Sequence, residues 1–288
     1  MAVYGLAEVL TLASRQTPAV QFAVITDSIA EPDRTSSNGI DYLILPPNLT
    51  GQRPENIPPL NDWLGAAYDN GTTLCAACAG SFWLAQTGLL EGRPATTHWA
   101  LADEFREKFP GVDLRPDPLL IDDGDIITAG GAMAWTDLAL RIVEREIGPN
   151  AVGRLARHLL IDPRGRTQSS YRVFHPVTDH GDEAVLALQR WMEQHLTADL
   201  SVVELARQAH LAPRSFQRRF KQATGIGSSV YVQNLRIERA RQLLETTGRS
   251  VAQICWDVGY NDIPAFIRLF RSLSGVSPAG YRRRFRIV

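Results

Sequence analysis

The chain has 288 residues, and its 30 lysines and arginines nearly balance its 31 aspartates and glutamates. This length suits two domains, and no apolar run approaches the roughly 18 residues of a membrane span, which excludes a membrane-spanning protein. With no signal peptide recognisable in the sequence, we expect a cytoplasmic protein that has no membrane partner.

Residues 1–160 alternate between helical and strand-like segments. The spacing of the apolar side chains predicts helices over 4–14, 61–69, 80–86, 99–108, 135–147 and 150–160, and short strands over 20–26, 41–45, 72–76 and 126–129. This alternation is typical of an α/β sandwich with a largely parallel sheet. Such a domain normally opens with a central strand, whereas this sequence opens on a helix. Either the sheet lacks that strand or the sequence begins late.

Three predicted strand-to-helix junctions contain small and polar residues: Pro46-Pro47-Asn48, the stretch from Cys75 to Gly80, and the stretch from Thr128 to Gly131. Ligands of open α/β sheets bind outside the carboxyl ends of the strands, so these junctions are candidates for a binding site. In the second junction, Cys78 lies directly before a helix whose N-terminus would stabilise a thiolate or a bound anion. The plainer interpretation is that Cys78 is a small buried residue.

The sequence has three cysteines, Cys75, Cys78 and Cys255. The C-x-x-C spacing of the first two is compatible with a redox pair or with half of a zinc site. No second pair of ligands stands at metal-binding spacing, so we expect neither a metal nor another cofactor. A redox sensor that uses Cys75 and Cys78 stays open as an alternative.

Residues 161–181 lose the periodicity and are rich in Pro, Gly, Ser and Arg, as in a linker. A helix is then predicted over 183–196. From Glu183 onward there are 16 lysines and arginines against 8 aspartates and glutamates, a net charge of +8, which leaves −9 for the rest of the chain. A basic C-terminal part is typical of phosphate binding, and DNA should repel the acidic part.

Residues 201–275 contain a sequence repeat with two copies. The apolar and glycine positions of the first copy recur in the second, 49 residues later before an internal turn and 50 residues later after it; the pairs are Val202 and Val251, Leu205 and Ile254, Phe216 and Phe266, Phe220 and Phe270, and Gly225 and Gly275. Each copy predicts a short helix, a tight turn and a second helix with its two phenylalanines facing inward. A long helix over 230–246 would join the two copies.

The outward face of each second helix is polar and largely basic, and in the first copy this face includes Arg219. Two such helices, each after a short helix and a turn, are typical of proteins that read the DNA major groove. A single copy would suit an ordinary helical bundle equally well. The predicted DNA contacts are Arg214, Ser215, Gln217, Arg218 and Lys221 in the first copy, and Asn261, Pro264, Ala265, Ile267, Arg268 and Arg271 in the second.

The C-terminal part resembles the AraC-type DNA-binding domain. The strings that support this are LAPRSFQRRFKQATG, LRIERARQLLETTGRSVAQICWDVGY and AFIRLFRSLSGVSPAGYRRRFR. The resemblance implies an all-α domain over 183–288, with two helix-turn-helix units on one face of a duplex. Its expected partners are promoter DNA, RNA polymerase and a second copy of the chain, as in a nucleoid-associated activator of transcription.

The N-terminal part resembles the class I glutamine amidotransferase-like domain, a superfamily that includes intracellular proteases and isonitrile hydratase. The strings are CAGSFWLAQTGLLEGRPATTHW and ITAGGAMAWTDLALRIVE. This resemblance implies a flavodoxin-like three-layer sandwich over 1–162, joined by a linker over 163–182, that senses a small metabolite such as an amino acid or a quaternary-ammonium compound. The implied effector pocket consists of Glu8, Pro47, Asn48, Cys78, Ala79, His98 and Gly130, with Cys78 at the nucleophile-elbow position.

Several departures from the enzymes of this superfamily favour a sensor without catalytic activity. Ala79 replaces the histidine that follows the nucleophile in the protease-like members, and Ala2 stands where the hydratase-like members have an aspartate. Pro46 and Pro47 replace a Gly-Gly pair that would offer oxyanion-binding N–H groups. A Cys78-dependent hydratase or amidase with Glu8 beside the thiol stays open as the alternative.

Overall fold

The computed structural model describes residues 2–26, 39–47, 56–163 and 167–286 and divides into two compact units, Met1–Gln168 and Ser169–Val288. The boundary between the units falls inside the predicted linker. No helix in the described ranges is both long and apolar enough to cross a membrane.

The first unit alternates helices and strands as the sequence predicts. Its helices are α1 (Ala2–Gln16), α2 (Pro58–Asp69), α3 (Gly80–Gln86), α4 (Ala102–Lys108), α5 (Trp135–Glu146) and α6 (Pro149–Leu159), and its strands are β1 (Tyr42–Leu45), β2 (Thr73–Ala77), β3 (Pro94–Ala95), β4 (Asp113–Leu114), β5 (Leu120–Asp122) and β6 (Ile126–Ala129). Four strands form one sheet in the order β1-β2-β6-β5, and β3 pairs with β4 in a second, two-stranded sheet.

The four-stranded sheet is largely parallel. β1 pairs with β2, and β2 with β6, in parallel, whereas β5 runs antiparallel to β6. Alternate residues of β2 face two separate cores: Cys75 and Ala77 pack with α1, α5 and α6, while Leu74 and Ala76 pack with α2, α3 and α4. Helices therefore cover both faces, which confirms the three-layer, flavodoxin-like sandwich.

The predicted strand over residues 20–26 was wrong. The structure gives this segment no strand, and Phe22 instead donates its backbone N–H to the Ser14 side-chain oxygen at 2.8 Å. A branched apolar run forms a strand only where a neighbouring strand satisfies its N–H and C=O groups. The helix predicted over 99–108 divides into a 3₁₀ turn at Trp99–Leu101 and α4.

The second unit is all helical. It contains α7 (Glu183–Gln194), α8 (Val202–Gln208), α9 (Pro213–Thr224), α10 (Ser228–Thr246), α11 (Val251–Asp257), α12 (Ile263–Ser274) and α13 (Pro278–Phe285). One core joins α7, α8, α9 and the first half of α10, and another joins the second half of α10 with α11, α12 and α13. We call the helix pair α8–α9 the first module and α11–α12 the second module.

The N-terminal segment of this unit packs against its helices. The Arg241 side chain, only 5% exposed, donates to the Ser169 and Leu273 carbonyl oxygens at 3.1 Å each and to the Ser274 hydroxyl. The Ser170 hydroxyl donates to the Ser274 carbonyl oxygen at 3.0 Å. Ser169 and Ser170, which lie inside the predicted linker, are thereby an integral part of the helical unit.

Candidate DNA interface and effector site

The two modules are built alike, as the repeat predicts. Phe216 and Phe220 of α9, and Phe266 and Phe270 of α12, are buried by at least 99%. Each helix ends at a glycine in the left-handed conformation, Gly225 with φ 77° and Gly275 with φ 71°. Because a side chain would be strained there, the glycines end both helices at equivalent positions.

A tyrosine supports the phenylalanines of each module from the helix that follows. Tyr231 of α10 packs edge-on against Phe220 with ring centroids 5.2 Å apart, and Tyr281 of α13 packs edge-on against Phe270 at 5.6 Å. Both tyrosines are buried. Burial raises the pKa of Tyr231 to about 12, so its phenol stays neutral in the core. The second helix of each module therefore packs on a cluster of aromatic rings, and this packing fixes which face of the helix is exposed.

The predicted DNA-contacting residues lie on α9 and α12, except Asn261, which lies in the turn before α12. Nine of them are exposed: Arg214, Ser215, Gln217, Arg218, Lys221, Asn261, Pro264, Arg268 and Arg271. The other two, Ala265 and Ile267, are half-buried. Since the phenylalanines fill the inner face, the exposed residues lie on the solvent side of each module.

Arg219 is on α9 but has a different role. It forms a two-pronged ion pair with Asp182, with N–O distances of 2.6 and 2.9 Å. This guanidinium holds the pKa of Asp182 below its ordinary value, and the Asp182 carboxylate also accepts the Val185 N–H as the N-cap of α7. Arg219 thus joins α9 to α7. The amphipathic pattern of α9 could not distinguish it from its outward-facing neighbours.

In the first unit, Cys78 forms a sharp elbow between β2 and α3. Its φ is 55°, one of three positive values among the non-glycine residues described. Its N–H donates to the Ala129 carbonyl oxygen at 2.7 Å, and its own carbonyl accepts from the hydroxyls of Ser81 and Thr97. These bonds hold a conformation that costs an L-residue on the order of 1–2 kcal/mol.

The elbow brings the three strand ends together. A Cβ on Gly80 would lie 2.8 Å from the Leu45 carbonyl oxygen, so α3 approaches the end of β1 as closely as a glycine allows. Pro46 and Pro47, both half-buried, continue from that strand. On the other side, Ala77 pairs with Ala129, the residue before Gly130. Cys78, Ala79, Pro47 and Gly130 therefore lie at one edge of the sheet.

Burial dominates the electrostatics of the elbow thiol. It raises the pKa of Cys78 above its ordinary value, although hydrogen bonding from the N–H groups of Ala79 and Gly131 lowers it in part. The thiol is therefore neutral at neutral pH. Two N–H groups directed at this point could also bind an anionic group of a ligand.

His98 lies in the loop after β3 and is half-buried. Its Nδ1 accepts the Ala100 N–H at 3.1 Å, which caps the 3₁₀ turn that begins at Trp99. Burial lowers the pKa of His98, so the imidazole is neutral at neutral pH. None of the hydrogen bonds found in the described ranges joins it to Cys78. Its observed role is to order the loop.

Gln168 organises the same loop, and sequence reasoning missed it. The side chain is 2% exposed; it donates to the Thr97 carbonyl oxygen at 2.8 Å and accepts the Trp99 N–H at 2.9 Å. A Cβ on Gly130 would overlap its amide nitrogen. Gln168 lies in a polar stretch without periodicity, so no signal in the sequence separated it from a linker residue.

The structure describes one of the two remaining residues of the predicted pocket. Glu8 is exposed on α1, whose opposite face packs through Leu6, Val9 and Leu10, and it is not among the groups that shift the pKa of Cys78. Asn48 lies outside the described residues. The thiol at the elbow therefore has no carboxylate partner in the described ranges.

Comparison with known families places a match on each unit. The DJ-1/PfpI family matches residues 24–145, and a helix-turn-helix domain matches residues 205–284. The HTH-type transcriptional regulator ArgR of Pseudomonas aeruginosa is 33% identical over 225 residues, which cover 75% of this chain and 66% of that protein. The regulator CdhR of the same organism is 31% identical over 224 residues, with 77% and 66% covered.

Among solved structures, an AraC family transcriptional regulator from Pseudomonas putida is similar at 18% identity and a TM-score of 0.48, with 55% of this chain and 92% of that chain covered. This chain spans about two thirds of the length of the two curated relatives. By its two domain matches and its relatives, the chain belongs to the AraC-type regulators that join an N-terminal DJ-1/PfpI domain to a C-terminal helix-turn-helix domain.

Proposed function

We propose that this chain regulates transcription by binding promoter DNA through α9 and α12 in response to a small metabolite bound by the first unit. The observation that supports this most is the doubled module, in which paired phenylalanines point inward and exposed polar and basic side chains point outward. Binding as a homodimer, activation through RNA polymerase and a cytoplasmic location are the finer parts of the proposal.

In this proposal the exposed residues of the two modules divide between bases and phosphates. Arg218 and Arg268 occupy equivalent positions, one turn before the Lys221 and Arg271 pair, and each guanidinium can form two hydrogen bonds to a guanine. Ala265 and Ile267, half-buried on α12, offer apolar contact to a thymine methyl group. The second module would then read its half-site with fewer polar contacts than the first.

A salt titration with the intact chain tests DNA binding. The probe is a duplex selected by the protein from a random-sequence library, and the logarithm of the affinity should fall steeply and linearly with the logarithm of salt concentration. Arg218→Ala and Arg268→Ala should each weaken binding by roughly 1–3 kcal/mol and relax the preference at one base pair. Arg219→Ala is the matched control, because it removes the same charge from α9 at a side chain engaged with Asp182. A flat salt response would count against the proposal.

For the first unit, we propose a carboxylate-bearing metabolite, an amino acid or a quaternary-ammonium acid, as the effector. The support is the pair of N–H groups of Ala79 and Gly131 at the elbow, which suits a carboxylate. A thermal-shift screen should find that betaine or an amino acid raises the melting temperature of the chain. Choline, which has the same quaternary ammonium group without a carboxylate, is the matched control ligand.

One observation favours a second function, a thiol-dependent hydratase or amidase. The positive φ of Cys78 is the backbone conformation of a nucleophile elbow. The raised pKa of Cys78 and the loop-capping contact of His98 argue for a binding residue instead. Turnover of an isonitrile or an amide that is lost in Cys78→Ser, with DNA binding intact, would establish the enzyme.

A further inference from the structure

The helix α10 passes from the core of the first module to the core of the second. Its residues Tyr231, Val232 and Leu235 belong to the first core, and Ile237, Ala240 and Leu244 belong to the second. Arg236 lies between Leu235 and Ile237, where the helix leaves one core and enters the other. A side chain at this point can touch both halves of the unit.

Arg236 does contact both halves. Its Nε donates to the Leu196 carbonyl oxygen at 3.0 Å and its Nη2 to the Ala198 carbonyl oxygen at 3.3 Å, in the segment that precedes α8. The guanidinium carbon also lies 5.2 Å from the ring centroid of Tyr260, in the turn of the second module. One side chain thus links the approach to the first module with the turn of the second.

Gly259 brings these two segments close together. It has a φ of 85°, and a Cβ at this position would overlap the Leu196 carbonyl oxygen and lie 2.9 Å from Nη2 of Arg236. Next to it, Asn261 lines an open groove between the modules together with Arg236 and Gln233. The close contact therefore adjoins a residue that we expect to touch DNA.

We propose that Arg236 and Gly259 form a brace that fixes the angle between the two modules and thereby sets the spacing of the two DNA half-sites. The inference rests on the proposed DNA-binding function. Arg236 acts as a positioning residue: its guanidinium is engaged with the protein, and it decides where α12 lies relative to α9. Without the brace, the two cores stay joined through α10 and through the segment before α7, which bonds Ser274 and packs Phe174 on Tyr231, but the direct link between the approach to the first module and the turn of the second is lost.

The test compares three duplexes that differ only in half-site spacing. The intact chain selects a duplex from a random-sequence library, and derivatives gain or lose one base pair between the two protected half-sites. Each change moves one half-site by about 3.4 Å along the axis and about 34° around it. The wild-type chain should lose at least about tenfold in affinity for either derivative, the scale of one mismatched base pair or more.

Arg236→Ala should bind the selected duplex more weakly, and its affinities for the three duplexes should fall within about threefold of one another. Its affinity for a duplex with one half-site should equal that of the wild type. Arg236→Lys should behave in the same way, because an ammonium lacks the fork that reaches two carbonyl oxygens and a ring. If circular dichroism shows that the alanine variant does not fold, the affinities of the lysine variant for the three duplexes decide the test.

Arg239→Ala is the control for charge. Arg239 is exposed on the same helix and donates to Gln242 within it. This variant should keep the full spacing preference. The proposed brace is overturned if folded Arg236 variants keep the wild-type preference for one half-site spacing. It is also overturned if Arg239→Ala reduces that preference as much as the Arg236 variants do. If the wild-type chain selects no duplex at all, the proposed function fails and the brace fails with it.

Discussion

At the scale of single residues, the three cysteine thiols give a prediction that concerns both units. Cys75, Cys78 and Cys255 are free and buried, and burial raises the pKa of each above its ordinary value. A thiol with a raised pKa is neutral at pH 8 and forms its reactive thiolate at a higher pH than an exposed thiol does. At pH 8 a disulfide reagent should therefore label the native chain far more slowly than the three thiols of the urea-unfolded chain.

The labelling rate of the native chain should rise with pH through and beyond pH 9. The difference between the wild type and Cys78→Ser should give the part of this rate that is due to the Cys78 thiol. The absorbance of the chromophore that the reagent releases measures the labelling rate of both proteins. Fast labelling of Cys78 at pH 7 would mean a lowered pKa, as in a catalytic nucleophile, and would favour the hydratase or amidase over the sensor.

Arg241 is the buried residue on which the second unit should depend most. Its donors satisfy the carbonyl oxygens of Ser169 and Leu273 and the Ser274 hydroxyl, and its guanidinium lies over the Tyr281 ring. Arg241→Met would remove the donors to the Leu273 carbonyl oxygen and the Ser274 hydroxyl together with the ion pair to Glu238, which should lower the free energy of unfolding by about 3–5 kcal/mol.

Urea unfolding followed by circular dichroism measures the loss at Arg241. The exposed neighbour Arg239 gives the matched control, since Arg239→Met should change the free energy of unfolding by no more than about 0.5 kcal/mol. Equal effects of the two substitutions would show that the hydrogen bonds of Arg241 add nothing to stability.

The sequence anticipates residues whose role follows from periodicity, and it misses those whose role comes from tertiary contact. The four phenylalanines of the modules lie in the repeat, and the structure buries them as predicted; the two glycines that end α9 and α12 also lie in the repeat. Gln168, Arg236 and Arg241 each bond backbone carbonyls far away in the chain. No local pattern marks such a side chain, because its partners are set by the fold.

At the scale of elements, the two turns differ in a way that can be measured. The residue before the turn of the first module is His210, with a φ of 54°, and its counterpart 49 residues later is Gly259, with a φ of 85°. A residue other than glycine costs about 1–2 kcal/mol in this conformation. Glycine avoids this cost but loses more conformational entropy on folding, so the net gain from glycine is smaller.

His210→Gly should therefore raise the free energy of unfolding by about 0.5–1 kcal/mol. Gly225→Ala tests the same reasoning in the opposite direction, because its φ is 77° with open space around it, and it should cost about 1 kcal/mol. Chemical denaturation of the two variants beside the wild type decides the signs. Changes of the same sign in both variants would contradict the argument from backbone conformation.

Long elements with a clear period were predictable, and short ones were not. The helices other than α4 and α13, and the strands β1, β2 and β6, lie where the apolar spacing predicts them; no helix was predicted for α13. The strands β3, β4 and β5 have two or three residues each, too few to show an alternation. The run over 20–26 has the composition of a strand, but composition supplies no partner for its backbone.

At the scale of the whole molecule, charge and cores are divided between the two units. Residues 169–288 contain 17 lysines and arginines against 10 aspartates and glutamates, a net charge of +7, which leaves −8 for residues 1–168. Each unit also has its own hydrophobic clusters. A unit with its own core is expected to unfold cooperatively by itself.

Calorimetry of the intact chain should therefore show two unfolding transitions, and ligands should separate them. A ligand that binds only the folded form of one unit stabilises that unit by about 2.7 kcal/mol at a hundred times its Kd. The selected duplex should raise the melting temperature of the second unit and leave that of the first unit unchanged. Betaine or an amino acid should instead raise the melting temperature of the first unit. Because unit 1 is acidic and unit 2 basic, added salt should reduce the shift caused by the duplex far more than the shift caused by the metabolite. A single transition that both ligands raise together would mean that the chain unfolds as one cooperative body.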